Sequence, residues 1–397
     1  MLKKETKSRA TSAAFAAMAA LWLTACGGGG GGGDDVAAAP PPAGPSAPAP
    51  GPSAPAPAPG PSAPAPAPAP ATPLAWTATG GTTETARSWH WVTTNPTGTV
   101  MAAAAIPGGV HVSTDSGATW TATTLDTGAI WISLDMTADG TRMIAVALNG
   151  AMVMSTDRGA TWAPIDAAFN AGGSSISYES VTMSQDGTRI VAADLSGNLY
   201  VSADGTSATP TFTTVPVAGA AFRAVDSSAD GSVVVAVSQN RDAHLSTNGG
   251  TTFAPLTVTV DGAAVTDNWY RVAVSPDGNT IVVAGNTDYA GPTSTGVYVS
   301  RDRGTTWVRG LAAAGTYTSL DTSQNGDIIV VTRSGAGEVL LSTNGGTSFA
   351  PITVPEGETN WRAAAITSDA GRLLLAAGTF FSQTGRVYLS SGSVVGE

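Results

Sequence analysis

Between residues 73 and 397, apolar and polar positions alternate in short runs bounded by Gly, Asp or Asn. Nowhere in that region do apolar residues keep the 3.6-residue spacing of a helix. The pattern predicts an all-β domain. Two turn signals punctuate it in alternation. The first is Asp139-Gly140, Asp186-Gly187, Asp230-Gly231, Asp277-Gly278 and Asn325-Gly326, dipeptides that favour tight hairpins. An apolar run such as Ile281-Val-Val-Ala284 follows each one.

The second signal is an octapeptide. It reads Ser113-Thr-Asp-Ser-Gly-Ala-Thr-Trp120, Ser155-Thr-Asp-Arg-Gly-Ala-Thr-Trp162, Ser246-Thr-Asn-Gly-Gly-Thr-Thr-Phe253, Ser300-Arg-Asp-Arg-Gly-Thr-Thr-Trp307 and Ser342-Thr-Asn-Gly-Gly-Thr-Ser-Phe349. A worn copy begins at Ser202-Ala-Asp-Gly205, and a truncated one, Ser390-Ser-Gly392, stands near the C-terminus. The period of about 40–45 residues is that of a propeller blade. Each unit reads as strand, Asp-Gly turn, strand, variable loop, strand, octapeptide turn, strand, which is a four-stranded antiparallel blade.

First strands start near Trp89, Trp131, Tyr178, Phe222, Trp269, Tyr317 and Trp361. Each aromatic lies nine residues before the turn glycine or its equivalent, and the seventh unit needs a one-residue insertion to fit. The expected fold is a seven-bladed β-propeller. Its last unit lacks a fourth strand, and Leu74–Thr79 resembles the segment after each octapeptide. Pairing that N-terminal strand with the last unit closes the ring and removes an open sheet edge. Six or eight blades follow if the worn third unit is misread.

The octapeptides resemble the Asp-box, the bacterial neuraminidase repeat, S-x-D-x-G-x-x-W/F. It occurs in sialidases, some endoglucanases, sortilin-type receptors and a photosystem assembly factor. The resemblance implies a structural role for Asp115, Asp157, Asn248, Asp302 and Asn344. Each short side chain bonds amides of its own turn, with Gly in a positive-φ position. Asn in two copies keeps an acceptor oxygen. The sialidase reading fails on motif. Its R-I-P string appears only as Ala105-Ile106-Pro107, and Tyr178-Glu179 are strand neighbours that point to opposite faces.

Residues 1–72 differ in kind from the domain. Lys3, Lys4, Lys7 and Arg9 precede the apolar run AAFAAMAALWLTA, which is too short to span a bilayer and reads as a signal peptide over 1–25. Leu23-Thr24-Ala25-Cys26 resembles a lipobox, which implies that Cys26 is acylated and anchors the chain in a membrane. Cys26 is the only cysteine, so it has no internal disulfide partner. Gly27 lacks the Asp that retains many lipoproteins at the inner membrane, which favours the outer membrane of a Gram-negative cell, facing the periplasm or the surface. Seven glycines and then APAPGPSAPAP repeats predict a disordered tether over 26–72.

The formal net charge is -11, and the first 25 residues hold four cations against one acid. The chain beyond them is more acidic still and lacks lysine. No basic stripe is present, which excludes nucleic-acid binding.

Both turn types join strands at one end of the blade, so function is expected on the opposite, variable-loop face. Candidate ligand residues there are Tyr289, Phe380 and Phe381 in the long loops 285–296 and 378–385. Others are the first-strand aromatics Trp89, Trp131, Tyr178, Trp269, Tyr317 and Trp361 near the channel mouth. As a ring they stack sugars, and as wedges they pack between blades. Glu179, Arg223, Arg271, Arg333 and Arg362 are rim charges; the arginines either hold a carboxylate or are simply solvated. Asp135, Asp226 and Asp321 occupy equivalent first-strand positions, where a pair facing the channel would suit an inverting glycosidase. His111 and His244 fill a slot held elsewhere by Tyr200, Tyr298 and Tyr388, and with His90 they build no site. No metal-ligand spacing and no nucleophile motif is present. The leading expectation is a monomeric, cofactor-free envelope module that binds a glycan or a protein. A glycoside hydrolase and an envelope assembly factor are the alternatives.

Overall fold

The computed structural model describes residues 74–79, 87–125, 128–148, 150–166, 176–286, 296–313, 315–334, 337–378 and 385–394. Within them the chain forms seven four-stranded antiparallel sheets and one extra two-stranded hairpin. The sheets are the blades of a propeller. Their first strands are Trp89–Thr94, Trp131–Met136, Tyr178–Met183, Phe222–Ser227, Trp269–Val274, Thr316–Thr322 and Trp361–Ile366. We number blades 1 to 7 in that order.

Second strands explain the apolar runs after each Asp-Gly turn. Met101–Ala105, Met143–Ala147, Ile190–Asp194, Val234–Ser238, Ile281–Gly285 and Leu373–Ala377 are buried at every residue. Such strands are covered on both faces by neighbouring blades, so alternation gives way to continuous apolar sequence. First strands share another device. The ladder shifts register just after the leading aromatic in all seven blades, for example between Trp89 and Trp91 and between Trp269 and Arg271. A repeated bulge of this kind re-aims the side chains that follow it.

Ring closure occurs where the repeat arithmetic places it. Ala75–Ala78 is the fourth strand of blade 7 and pairs antiparallel with Val387–Ser391, from Ala75 opposite Ser391 to Ala78 opposite Tyr388. Thr79 adds two bonds to the Val387 carbonyl, from its amide at 3.0 Å and its hydroxyl at 3.1 Å. The Trp76 indole donates to the Thr353 carbonyl of blade 6 at 2.8 Å.

Each octapeptide turn closes on its own side chains. Ser113 donates to Asp115 Oδ1 at 2.8 Å, and the Gly117 amide donates to Ser113 Oγ at 2.9 Å. Thr119 gives its amide to Oδ1 at 2.9 Å and its hydroxyl to Oδ2 at 2.6 Å. Asp157 and Asp302 repeat this pattern. In the Asn copies the last bond reverses. Asn248 Nδ2 donates to Thr252 Oγ1, and Asn344 Nδ2 donates to Ser348 Oγ. The positive-φ stretch is two residues long. Ser116, Arg158 and Arg303 adopt it ahead of the glycine, and the Asn copies place Gly249 and Gly345 there.

Three features depart from the sequence reading. Blade 7 needs no insertion: Ala370, at φ 55°, takes the place of the turn glycine, and its amide bonds the Thr367 carbonyl at 2.8 Å as Gly140 bonds Thr137. The worn third octapeptide keeps its aspartate bonds across a longer loop but not the positive-φ pair, which neither Gly205 nor Thr206 adopts. Asp204 accepts from Ser202 at 2.7 Å and from the Thr211 amide and hydroxyl, seven residues on instead of four. Thr259–Val260 and Ala263–Ala264 form a hairpin around Asp261-Gly262 between blades 4 and 5, which the blade count did not foresee.

Arginines on the turn side join neighbouring blades. Arg142 of blade 2 donates to the Thr206 carbonyl of blade 3 at 2.6 Å, and Arg372 of blade 7 to the Ser116 carbonyl of blade 1 at 3.0 Å. The second of these bonds joins the last blade to the first.

The closure strand holds four residue pairs, so its anchoring side chain weighs heavily. Trp76→Ala removes a half-buried indole and its bond across to blade 6. The expected loss is about 2 kcal/mol. Guanidinium unfolding followed by circular dichroism measures it, and a loss under about 0.5 kcal/mol would show that closure does not depend on this residue.

Candidate functional site at the channel mouth

The leading aromatics act as wedges. Trp89, Tyr178, Tyr317 and Trp361 are 0% exposed, and Trp131 and Trp269 are 2% exposed. In five blades the ring meets the third-strand ring edge-on: Trp89 with His111 at 5.0 Å, Tyr178 with Tyr200 at 5.6 Å, Phe222 with His244 at 5.9 Å, Trp269 with Tyr298 at 5.7 Å and Trp361 with Tyr388 at 5.8 Å. The expected ligand-stacking role of Trp89, Trp131, Tyr178, Trp269, Tyr317 and Trp361 does not fit this burial, because no ring face remains for a sugar. Tyr289, Phe380 and Phe381 lie outside the described residues, as do Cys26 and the tether.

The residues just after the bulge furnish the mouth. Glu179 of blade 3 pairs with Arg223 of blade 4 at 3.1 Å, each side chain 12% exposed. Gln239 Oε1 accepts from Arg223 Nε at 2.8 Å and Nη2 at 2.5 Å. Arg271 of blade 5 lies over the Tyr270 ring at 4.2 Å and reaches across the channel to the Trp91 ring of blade 1 at 5.7 Å. Its Nε donates to the Thr318 carbonyl at 2.7 Å, and the Trp91 indole donates to the Leu134 carbonyl at 2.9 Å. Burial, with the charges of Arg362 and Arg271, pushes the His90 imidazole down to about 3. At neutral pH this histidine is uncharged. Burial also raises Glu179, and Arg223 opposes that shift. Among the described residues, the mouth thus sets Arg223 and Arg271 about Glu179, and Arg271 and Arg362 about the neutral His90. Arg333 stands apart on the blade 6 rim, ion-paired to Glu338 at 2.5 Å.

Deeper in the channel, the fifth residue after each leading aromatic, counting the aromatic as the first, reads Thr93, Asp135, Thr182, Asp226, Ala273, Asp321, Ala365. Acids thus alternate on blades 2, 4 and 6. Each clamps the next blade. Asp135 Oδ2 accepts the Met183 amide, Asp226 Oδ2 the Val274 amide and Asp321 Oδ2 the Ile366 amide, all at 2.7 Å. Asp135 Oδ1 and Asp321 Oδ1 also accept the amides of Met136 and Thr322 at 2.7 Å. Serines two residues earlier reinforce the same seams: Ser133 accepts the Val181 amide and Ser319 the Ala364 amide, both at 3.1 Å. These serine staples escaped the sequence reading, because one Ser in a Ser-rich chain carries no signal. Burial pushes Asp135 up to about 6, Asp226 up to about 8 and Asp321 up to about 7, with Asp135 and Asp321 adding to the rise at Asp226. All three acids border two cavities, one of about 120 Å³ toward the variable-loop mouth and one of about 130 Å³ toward the Asp-Gly turns.

No protein-family model matches the sequence, and no curated protein matches it. Solved structures do resemble the fold. A chain in the crystal structure of the mitotic checkpoint complex aligns with a TM-score of 0.60 at 15% identity, over 81% of this chain and 92% of that one. YCF48 bound to D1 peptide aligns with a TM-score of 0.57 at 16% identity, over 81% of this chain and 98% of that one. At these identities the likeness is one of fold.

The channel acids give a pH dependence with a definite sign. Their folded-state values of about 6, 8 and 7 lie above the ordinary carboxyl value, so folding favours the protonated form. The stability they contribute is complete below about pH 4 and is lost as pH rises through 6 to 8. In chelator-containing buffer the melting temperature is expected to fall by several degrees between pH 5 and pH 9. Asp226→Asn should flatten that limb, and an unchanged slope in the variant would refute the assignment.

Proposed function

We propose that this protein is a non-enzymatic, envelope-anchored binding module that takes a carboxylate-bearing segment of a protein partner at the channel mouth. One observation carries the reading. In a chain of net charge -11, Arg223, Arg271 and Arg362 gather at one opening, where among the described residues Glu179 is ion-paired to Arg223. Guanidinium forks suit carboxylates, and a local excess of positive charge steers acidic segments toward the mouth. The fold neighbours support a protein partner over a glycan: one belongs to a multiprotein complex and the other is YCF48 bound to D1 peptide. Burial of the leading aromatics removes the platform that a sugar ligand would need. A hydrolase reading would rest on Asp135, Asp226 and Asp321, whose oxygens are engaged by backbone amides. Anchoring through Cys26 and the Pro/Ala tether, at the outer membrane, completes the proposal.

Two measurements test it. Fluorescein-labelled hexaglutamate should bind the full chain by anisotropy, weaken as salt rises, and bind Arg271→Gln about tenfold less tightly, while hexalysine should not bind. Equal binding of the two peptides, or of wild type and variant, would sink the mouth assignment. Separately, the wild type should sediment with membranes and Cys26→Ser should appear in the soluble fraction. A variant that stays with the membrane would remove lipidation as the anchor.

A further inference from the structure

The outermost strand of a blade ends its sheet, and its outward backbone is a template for a further strand unless something blocks it. Blades 2, 4 and 6 block it in one way. Their outer strands are Ala163–Pro164, Ala254–Pro255 and Ala350–Pro351, with proline as the second residue after the octapeptide aromatic. The next residue donates inward to the third strand: Ile165 to the Met152 carbonyl at 3.0 Å, Leu256 to that of Ala243 at 2.7 Å and Ile352 to that of Val339 at 3.0 Å. Amides alternate in direction along an antiparallel strand, so proline stands where the amide would face outward, and it removes that donor. The outer strand of blade 3, Thr213–Pro216, also ends in proline, and that of blade 1, Thr121–Ala122, is two residues long. Blade 7 uses the closing strand.

Blade 5 breaks the rule. Its outer strand, Val308–Leu311, is four residues long, and Arg309 holds the place of the proline. It pairs with Val297–Ser300, and among the described residues no strand lies beyond it. Its face is fixed, since a side chain at Gly310 would collide with the Gly346 carbonyl and the Phe349 ring of blade 6. Two further features gather on this segment. Val308 is 49% exposed, and among the described residues no other large apolar side chain is exposed. Val297–Leu311 also carries Arg301, Arg303 and Arg309 against Asp302 alone, whereas no other blade has more than one arginine from its third strand to its fourth. Asp302 is engaged by Thr306 and Arg301 by Asp327, while Arg303 and Arg309 have exposed side chains.

We propose that the outer edge of blade 5 takes an extended acidic segment of a protein partner as a fifth strand. Backbone pairing supplies the register, the arginines select acidic side chains, and an apolar residue of the partner covers Val308. A second copy of this chain fits less well, because antiparallel pairing of two such edges brings the two Arg309 side chains together. The surface lies on the outermost strand and is separate from the channel mouth on the innermost ones.

The test uses the full chain and a fluorescein-labelled Asp-Val-Asp-Val-Asp-Val peptide. The peptide should raise anisotropy on binding and slow hydrogen exchange at the amides of residues 308–311, and a Lys-Val peptide of equal length should bind about tenfold less tightly. Arg309→Pro copies blades 2, 4 and 6, so it should keep the melting temperature while weakening binding about tenfold. Arg309→Glu keeps the amide, reverses the charge and should weaken binding as much. Arg271→Gln should retain the slowed exchange at 308–311, which separates this edge from the mouth. The proposal is overturned if Arg309→Pro and Arg309→Glu both bind the peptide as the wild type does. Slowed exchange at the mouth with none at 308–311 also overturns it, as does a dimer in sedimentation that Arg309→Pro dissolves.

Discussion

A four-stranded blade has two apolar faces and no core of its own, so each blade is stable only against the next. That dependence organises the molecule. Second strands become continuous apolar sequence because both faces are covered. The leading aromatics are buried because they fill the wedge between neighbours. Polar side chains then fasten the seams: Asp135, Asp226 and Asp321 within the channel, Ser133 and Ser319 beside them, Arg142 and Arg372 on the turn side. A chain of such dependencies must close on itself, and Ala75–Ala78 closes it.

The two faces divide labour differently from a simple split into structure and function. On the turn face, side chains are spent on their own loops, and Asp115, Asp157 and Asp302 have little acceptor capacity left for a ligand. On the opposite face, the residue that follows each aromatic sits at the bulge, and its type differs from blade to blade: His90, Ile132, Glu179, Arg223, Tyr270, Thr318, Arg362. The channel connects the two environments, cationic at one mouth and acidic in its middle.

Much of this was legible in the chain, because a repeat reports the same local physics seven times. Turn glycines, octapeptides and apolar runs set the blade count and the closing strand. What failed to show were features that depend on spatial neighbours. Ala370 in a glycine place looked like an insertion, since sequence alone does not display φ. Asp204 looked worn because three extra residues separate it from Thr211, although its own bonds to Ser202 and Thr211 survive. The leading aromatics resembled a binding ring because their strand position was right, while their burial depends on the adjacent blade. Alternation of the acids around the channel was visible as letters, but its meaning required the amide each one meets.

The closing strand also has a mechanical consequence. Ala75–Ala78 is the first strand of the domain, so tension carried along the chain from upstream enters the ring at its own fastening. Four residue pairs, the two bonds from Thr79 and the Trp76 indole lie directly in that line of force. The ring seam, rather than any interior blade, is therefore the mechanical fuse of the molecule: under load, the first event is peeling of one strand, which leaves six complete blades and three-quarters of a seventh.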